Sequence, residues 1–525
     1  MSGHSAYFFF FIFIFLMPNM MKKIFFVATI FFACNVLAQK SKNLMKMASS
    51  SITAEDLKTK LSIIAGADME GRETATEGQR KAAAYIENYF KQIGLQPGTP
   101  QGYQVYFPVY RDSLTSTSLK VGDKSFVKGI DFSVSSFALI SGSWKTDSIV
   151  FAGYGIVDSM NNDFKKVNAK DKWVLILDGV PPGMSIPADI SPFKDPSTIF
   201  SKINQAKIAG AKGIVFISKN YPKKADAPVQ GNMFLKKPTA TGIPIIYASV
   251  EVANNMLNSS AANVAELLNN NPGAYATDIN FSSTATTNNL QSSDVIGVLP
   301  GSDKKDEYVL VTGHYDHLGK RDSVIYYGAD DDGSGTTSVL EIAKAFVEAK
   351  AKGYTPRRTM VFMTVSGEEK GLWGSEYYTS HPVFPLEKTS VDLNIDMVGR
   401  IDPDRKQTDS TNYVYTIGED KLSTDLMKIS DSINNQYSHL DLDRKYNDPK
   451  DPNRFYYRSD HYNFAKHGVP VIFYFNGTHA DYHRPTDTVD KINFDVMEKR
   501  VRLVFYTAWA MANRENMLVR DIPLK

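Results

Sequence analysis

The stretch Tyr308-Val309-Leu310-Val311-Thr312-Gly313-His314-Tyr315-Asp316-His317 decides the expected fold of this chain. Its apolar part, 308–312, predicts a buried strand. A histidine follows almost at once, and open α/β sheets bind their ligands at the carboxyl ends of strands. We therefore expect an α/β sheet with His314 as a candidate ligand at its edge.

The same arrangement recurs further along the chain, where acidic residues or histidines follow strand-like runs. They are Glu368 and Glu369 after 359–365, Asp396 after 391–395, and His483 in the loop after 469–475. Adjacent like charges at a strand end are unfavourable unless a cation neutralises them. The pair of glutamates therefore indicates a metal site. His461, His467 and His479 are the competitors of His483.

An acidic loop, Gly328-Ala329-Asp330-Asp331-Asp332-Gly333-Ser334-Gly335, precedes a predicted helix over 336–350. That helix is indicated by apolar residues at helical spacing. Asp, Ser and Gly are typical of turns and helix caps, but three consecutive aspartates exceed what capping needs. Asp330, the first of them, is the candidate ligand.

Two imidazoles and three carboxylates suit two zinc ions that share one carboxylate. The set is His314, Asp330, Glu369, Asp396 and His483. Glu368, beside a ligand, is free to act as a general base.

Asp316 lies two residues after His314, where its carboxylate can take the second imidazole proton and orient the ring. His317 is a rival ligand. Strand alternation places His314 and Asp316 on one side and His317 on the other, which favours His314.

Taken together, these motifs resemble those of the co-catalytic di-zinc exopeptidases, which include bacterial leucyl aminopeptidases, vacuolar aminopeptidase Y and glutamate carboxypeptidase II. The resemblance implies that His314 and Asp396 hold one zinc, that Glu369 and His483 hold the other, and that Asp330 bridges them. It also implies that Glu368 is the general base. The segment Arg458–Phe464 is similar to an element that lines the family's substrate pocket, and Gly71-Arg72 and Gly94–Pro97 to its opening region.

The resemblance implies a three-layer α/β/α sandwich around a mixed sheet. It also implies a secreted metallo-aminopeptidase that acts on peptides with a free N-terminus through a hydroxide shared by two Zn²⁺ ions. Three alternatives stay open. They are a related zinc carboxypeptidase or dipeptidase, a glutaminyl cyclase-like enzyme with one zinc, and a binding protein without activity.

The catalytic domain is expected in two parts, 52–141 and 268–525, around an insertion at 142–267. The insertion contains strand-like runs at 148–155, 172–178, 213–219 and 243–247 and an amphipathic helix at 200–210. Its segment Ala209–Ser218 resembles the protease-associated domain found in many of these peptidases. Residues 39–51 are polar and are expected to form a linker.

The 525 residues are too many for one ordinary core, and 43% hydrophobic residues are typical of a globular protein. A net charge of +2 gives no case for binding nucleic acid or an anionic membrane.

Residues 1–38 are expected to be a signal peptide, with a true start near Met20 or Met21, because a basic pair precedes the apolar run 24–37. We therefore expect export to the periplasm or beyond. The only cysteine, Cys34, lies in this leader, and a lipoprotein anchor there is the second choice. No stable membrane span is expected once the leader is removed.

Overall fold

The computed structural model describes residues 43–136, 139–186, 195–221, 230–237, 242–406 and 409–523. The expected leader and Cys34 lie outside these residues. The chain divides into two compact units, one formed by 1–107 and 291–525 and the other by 108–290.

The helices and strands alternate along the chain as in α/β proteins. In chain order the helices are α1 (Ala54–Ile64), α2 (Glu77–Ile93), α3 (Ile199–Ile208), α4 (Val250–Leu257), α5 (Gly335–Ala351), α6 (Trp373–Ser380), α7 (Leu426–Ile433), α8 (His461–Ala465) and α9 (Phe494–Asn513). The strands are β1 (Gln96–Pro97), β2 (Gln104–Val121), β3 (Lys124–Phe126), β4 (Phe132–Val134), β5 (Gly142–Phe151), β6 (Trp173–Leu177), β7 (Gly213–Ile217), β8 (Gln230–Phe234), β9 (Ile245–Ala248), β10 (Gly273–Leu299), β11 (Lys304–His314), β12 (Lys320–Arg321), β13 (Val324–Ile325), β14 (Arg358–Val365), β15 (Thr389–Ile395), β16 (Tyr413–Ile417), β17 (Asp441–Asp443) and β18 (Val471–Phe475).

The first unit is built on a mixed sheet in the order β17-β16-β18-β15-β11-β14-β10. Its central strands β14, β11, β15 and β18 are parallel. The end of β10 pairs antiparallel with β14, and β16 pairs antiparallel with β18. The parallel centre brings four strand ends to one edge, which is where the candidate ligands follow.

Side chains on the central strands alternate between two cores, because successive residues of a strand point to opposite faces. Val309 and Val311 pack with α1, α2, α5 and α9, whereas Leu310 packs with Tyr378 of α6 and Phe464 of α8. Helices thus cover both faces of the sheet. The predicted α/β/α sandwich with a mixed sheet is confirmed.

The second unit contains the sheet order β10-β5-β6-β7-β9-β4, with β5, β6, β7 and β9 parallel. The predicted runs 148–155, 172–178, 213–219 and 243–247 overlap the strands β5, β6, β7 and β9, and α3 lies at the expected helix. The unit extends over 108–290 rather than 142–267. Its outer parts include the long strands β2 and β10, which run through the two boundaries without a loop. The likeness to a protease-associated domain stays a prediction.

Residues 43–50, expected within a linker, are helical instead. Met45 and Ala48 are buried in the core of the first unit, and this packing explains the helix. Among the described residues, every helix is too short or too polar to traverse a lipid bilayer.

Candidate metal centre

The candidate ligands meet at the carboxyl edge of the parallel strands. His314 ends β11 and pairs with Val365, the last residue of β14. Glu368 and Glu369 follow β14 after a short turn. Asp396 comes directly after β15, and the loop after β18 leads to His483. The sheet topology therefore explains why residues far apart in sequence converge.

A first group consists of His314, Asp331 and Asp396, all buried and close enough to share one metal ion. His314 Nε2 is 3.3 Å from Asp331 Oδ1 and 3.7 Å from Asp396 Oδ1. Ser459 Oγ donates to Asp396 Oδ2 at 2.6 Å and keeps that carboxylate in place. Ser459 lies in the segment Arg458–Phe464, so this segment holds a candidate metal ligand in place in addition to its expected position beside a substrate pocket.

A second group surrounds Glu369 and the other oxygen of Asp331. His483 Nε2 is 3.1 Å from Asp331 Oδ2 and 3.2 Å from Glu369 Oε2. His317 Nδ1 is 2.7 Å from Glu369 Oε1 and 3.9 Å from Asp331 Oδ2. Asp331 therefore belongs to both groups, with one oxygen directed to each.

The structure does not bring Asp330 into either group. The sequence-based choice of Asp330 as a ligand therefore disagrees with the geometry, which places Asp331 there. Asp330 Oδ1 accepts from Gly399 N at 2.7 Å and from Ser334 Oγ at 3.1 Å. Its Oδ2 is 3.2 Å from His479 Nε2. These contacts turn the carboxylate of Asp330 away, so its neighbour Asp331 takes the central position.

Asp332, the third aspartate of the loop, has a structural role that the sequence did not indicate. Its Oδ2 accepts from His314 N at 3.1 Å. Its Oδ1 accepts from Gly335 N at 2.8 Å and from Met397 N at 3.0 Å. Three adjacent aspartates thus have three different sets of partners, which composition alone cannot distinguish.

The structure changes the expected contact of Asp316. His314 Nδ1 lies 3.1 Å from the backbone oxygen of Asp316, and 3.6 Å from its Oδ1. The carboxylate itself accepts from Glu368 N at 3.2 Å and from Thr74 Oγ1 at 2.7 Å. Asp316 therefore orients His314 chiefly through its carbonyl, and its side chain holds the backbone at Glu368.

Glu368 lies beside the first group without belonging to either group. Its Oε2 is 3.8 Å from His314 Nε2, and it lines a small pocket with Asp331 and Asp396. Burial raises the pKa of the Glu368 carboxyl well above its ordinary value, and the charges of Glu369 and Asp396 add to this effect. A carboxyl held beside the ligands in this way is suited to exchange protons.

Arg72, which the sequence singled out in the opening region, fastens the two loops that carry the ligands. It is fully buried. Its Nε donates to Tyr315 O at 2.6 Å, next to His314, and its Nη2 donates to Gly328 O at 2.9 Å, before the acidic loop. A second nitrogen, Nη1, donates to Ile64 O and Tyr327 O. These charge-assisted bonds fix the distance between the two loops.

Asp487 and His479 are further supports, of which sequence reasoning missed Asp487 and considered His479 only as a competitor of His483. Asp487 accepts from the backbone nitrogens of Asp330 and Asp331, at 3.0 Å and 3.2 Å. His479 contacts the carboxylate of Asp330. Both come from the loop region after β18, and no spacing in the sequence pointed to them.

The donor atoms of the centre fit zinc. Within the part of the chain that the structure describes, His314 Nε2, His317 Nδ1, Asp331 Oδ2 and Glu369 Oε1 are buried without a hydrogen-bond partner. Orphaned polar atoms of this kind are rare in native proteins. Imidazole nitrogens and carboxylate oxygens are typical zinc ligands, and here they converge.

The charge of the centre also favours a cation. Burial alone would lower the pKa of His483, but its contacts with Asp331 and Glu369 outweigh this and raise it to about 10. Positive charge at this place is therefore strongly stabilised by the surrounding carboxylates.

Residues 294–508 match the model of Peptidase family M28. A probable zinc metalloprotease of Pyrenophora teres f. teres (strain 0-1) is 27% identical over 264 residues, which cover 43% of this chain and 52% of that protein. A probable leucine aminopeptidase of Trichophyton verrucosum (strain HKI 0517) is 29% identical over 223 residues, which cover 41% of this chain and 56% of that protein. The chain spans about half the length of these curated relatives.

A solved structure shows the same fold at lower identity. The aminopeptidase from Aneurinibacillus sp. strain AM-1 has a TM-score of 0.53 and 19% sequence identity, over 92% of this chain and 98% of that one. The fold agrees with the family match. The segment 294–508, which matches the model of Peptidase family M28, contains both ligand groups and Glu368.

Proposed function

We propose that this chain is an aminopeptidase that holds two Zn²⁺ ions and hydrolyses the N-terminal peptide bond of peptides. The observation that carries the proposal is the position of Asp331. One of its oxygens faces His314 and the other faces His483. A carboxylate shared between two groups of ligands suits a bridge between two metal ions. The zinc metalloproteases and leucine aminopeptidases among the relatives support the same activity.

His314, Asp331 and Asp396 would hold one zinc, and Asp331, Glu369 and His483 would hold the other. When bound, such a pair polarises the substrate carbonyl and lowers the pKa of a shared water toward about 7. The remaining steps depend on side chains of the protein.

Glu368 would act as the general base and then as the general acid. Its carboxylate takes a proton from the attacking water, whose oxygen bonds to the carbonyl carbon of the peptide. When the carbon–nitrogen bond breaks, Glu368 returns that proton to the leaving amine. The position of Glu368 beside both groups, without belonging to either, supports this assignment.

Tyr482 would assist by donating a hydrogen bond to the developing oxyanion. Its ring stacks on that of His483 with centroids 3.9 Å apart, and it lines the same pocket as Glu368. Burial raises the pKa of the Tyr482 hydroxyl above its ordinary value, so the hydroxyl stays protonated and can donate.

The walls of the pocket suit an apolar side chain on the N-terminal residue. Beyond the acidic groups they consist mainly of apolar and aromatic residues, namely Met397, Phe455, Phe473, Phe475 and Tyr482. Contact of an apolar side chain with such walls removes apolar surface from water and stabilises binding. We therefore propose a preference for apolar over charged N-terminal residues.

Arg458 supports a second candidate, a carboxypeptidase. It also lines the pocket, and its Nη2 is 3.2 Å from Tyr482 Oη. A guanidinium at this place could bind the terminal carboxylate of a peptide in a bidentate manner. The two candidates differ in which end of the peptide must be free.

A panel of blocked substrates separates them. Leucine p-nitroanilide and a leucyl peptide amide should be cleaved, and N-acetylated forms of both should not. The reverse pattern, with cleavage of N-acetylated peptides that have a free carboxylate, would establish the carboxypeptidase instead. Chelation should abolish activity and zinc should restore it. Glu368→Gln serves as the control for contaminating peptidases.

We further propose that the enzyme acts after export, which rests on the basic pair Lys22-Lys23 before the apolar run 24–37. N-terminal sequencing of the protein purified from its natural source should give a start near Gln39. A start before Lys22 would contradict export by this signal.

A further inference from the structure

We infer that His317 is a third metal-binding histidine of this centre. With Asp331, Glu369 and His483 it would complete a second site made of four protein side chains. The inference rests on the proposed two-zinc function. It goes beyond the set of one histidine for each zinc that the sequence suggested, in which His317 was a competitor of His314.

The distances around this second site agree with ligand atoms that surround one ion. Ligand atoms about 2.1 Å from one zinc lie about 3.4 Å from one another. The contacts of His317 and His483 with Asp331 and Glu369 measure 2.7, 3.9, 3.1 and 3.2 Å and scatter around that value. The two imidazole rings have centroids 5.9 Å apart, and rings on one zinc are expected at about 5–6 Å.

His317 Nδ1 is placed to bind an ion rather than only to bond with Glu369. The two atoms are 2.7 Å apart, within the distance of an ion pair. Neither atom has a hydrogen-bond partner elsewhere among the described residues. A cation bound by both atoms would satisfy them together with the other ligands.

The surroundings of His317 hold its ring in this position. The residue is fully buried, and its backbone nitrogen donates to Arg72 O at 3.3 Å. Gly328 packs against the ring so closely that a Cβ there would lie 2.5 Å from His317 Cγ. A glycine is therefore required opposite His317, at the start of the loop that carries Asp331. A Cβ at Gly328 would also meet the backbone oxygen of Asp331, so this glycine packs against both residues.

This arrangement makes the two zinc sites unequal. The first site has three protein ligands, His314, Asp331 and Asp396, and keeps a position open. The second site has four. Four protein ligands hold an ion more tightly than three, and the water shared by the two ions would be a fifth ligand of the second zinc, a coordination number that catalytic zinc can adopt. The second zinc should therefore be the last to leave during chelation.

The competing role for His317 is that of a positioning residue, which only donates a hydrogen bond to Glu369. His317→Asn separates the two roles, because the Asn amide can occupy the place of Nδ1 and donate to Glu369 but lacks the imidazole. His439→Asn is the matched control. His439 is exposed and has a φ of 54°, which Asn tolerates well.

The experiment measures zinc per chain while the full-length protein is equilibrated with a series of zinc buffers. The wild type and His439→Asn should lose their zinc ions in two steps. His317→Asn should lower the affinity of the tighter step by more than about 100-fold, above the usual effect of an outer-shell partner. Any smaller change would overturn the inference. A wild type that never binds zinc would instead contradict the proposed function.

X-ray absorption at the zinc edge tests the same point on the wild type, whether or not the variant folds. Three imidazoles shared by two zinc ions are expected. Two imidazoles for two zinc ions would exclude His317 as a ligand and leave the proposed function intact.

Discussion

Each of the two units contains its own set of parallel strands, and in each unit these strands end at a common edge of the sheet. The residues at the two edges differ in chemistry. In the first unit, β11, β14 and β15 lead into His314, Glu368 and Asp396, and buried donor atoms there lack hydrogen-bond partners among the described residues. In the second unit, β6 leads into Asp178, which accepts from Gly179 N at 2.9 Å and from Ser218 Oγ at 3.2 Å. The edge supplies a place for a ligand, and the residues decide whether one binds.

The second unit also fills its own strand edge. Lys202 of α3 is buried and donates through Nζ to Leu177 O at 3.0 Å and to Gly179 O at 2.6 Å, at the end of β6. The ammonium group of Lys202 thus occupies the end of β6 and binds the backbone oxygens there. Residues 108–290 contain no histidine and no cysteine. We therefore expect the metal chemistry to depend entirely on the first unit.

The largest effect is expected for Asp331→Asn, with Asp330→Asn as its matched neighbour. Asn at 331 replaces the carboxylate that serves both groups by a neutral amide, so zinc content should fall and activity should become undetectable. Asn at 330 alters contacts with Gly399 and His479 and should retain both zinc ions. Metal analysis and leucine p-nitroanilide hydrolysis measure both variants. If Asp330→Asn lost zinc and Asp331→Asn did not, Asp330 would be the bridge after all.

Glu368→Gln is expected to lower kcat by at least about 10²-fold, the low end for loss of a general base. Both zinc ions should stay, because this side chain belongs to neither ligand group. Glu369→Gln is the matched variant and should lose zinc. Zinc loss from Glu368→Gln with retention in Glu369→Gln would exchange the two roles.

Asp316→Asn is expected to reduce activity by about 10–100-fold, as the loss of outer-shell partners does. The carboxylate supports Glu368 N and Thr74 Oγ1, whereas His314 keeps its bond to the backbone oxygen. Zinc content should therefore change less than kcat. A loss of zinc as large as that of Asp331→Asn would show that the carboxylate, not the carbonyl, fixes His314.

The smallest effect is expected at the strand edge of the second unit. Asp178→Asn removes a carboxylate that already has local partners, so zinc content and kcat should equal those of the wild type. Both are measured beside Asp331→Asn under the same conditions. A fall in zinc content for Asp178→Asn would break the contrast between the two edges.

The sequence predicted the strands and helices that position the site, because they are long and strongly patterned. The run 308–312 lies within β11 and the predicted helix 336–350 within α5. Buried parallel strands read as continuous apolar runs, so their ends could be located and the ligands near them recognised.

The errors arose where the chain leaves regular structure. Strand alternation separated His314 from His317, but β11 ends at His314, so alternation no longer applies to residue 317. Both imidazoles reach the centre as a result. In the acidic loop, the choice between Asp330 and Asp331 depended on which backbone groups each carboxylate would meet. Those partners, such as Gly399 N, come from elsewhere in the sequence.

The unit boundaries and the expected linker failed for a related reason. Long strands such as β10 (Gly273–Leu299) run through the observed boundary at 290/291 instead of ending there, so no loop marks it. Residues 43–50 mix apolar and polar side chains, and Met45 and Ala48 pack into a core whose other members include residues far along the chain. Burial that depends on distant partners cannot be seen in a local window.

Metal analysis of the purified, active protein tests the central claim most directly. The account predicts two zinc ions per chain, both required for full activity, because Asp331 directs one oxygen to each of two ligand groups. Full activity with a single zinc ion per chain would contradict it and would favour an enzyme with one catalytic zinc.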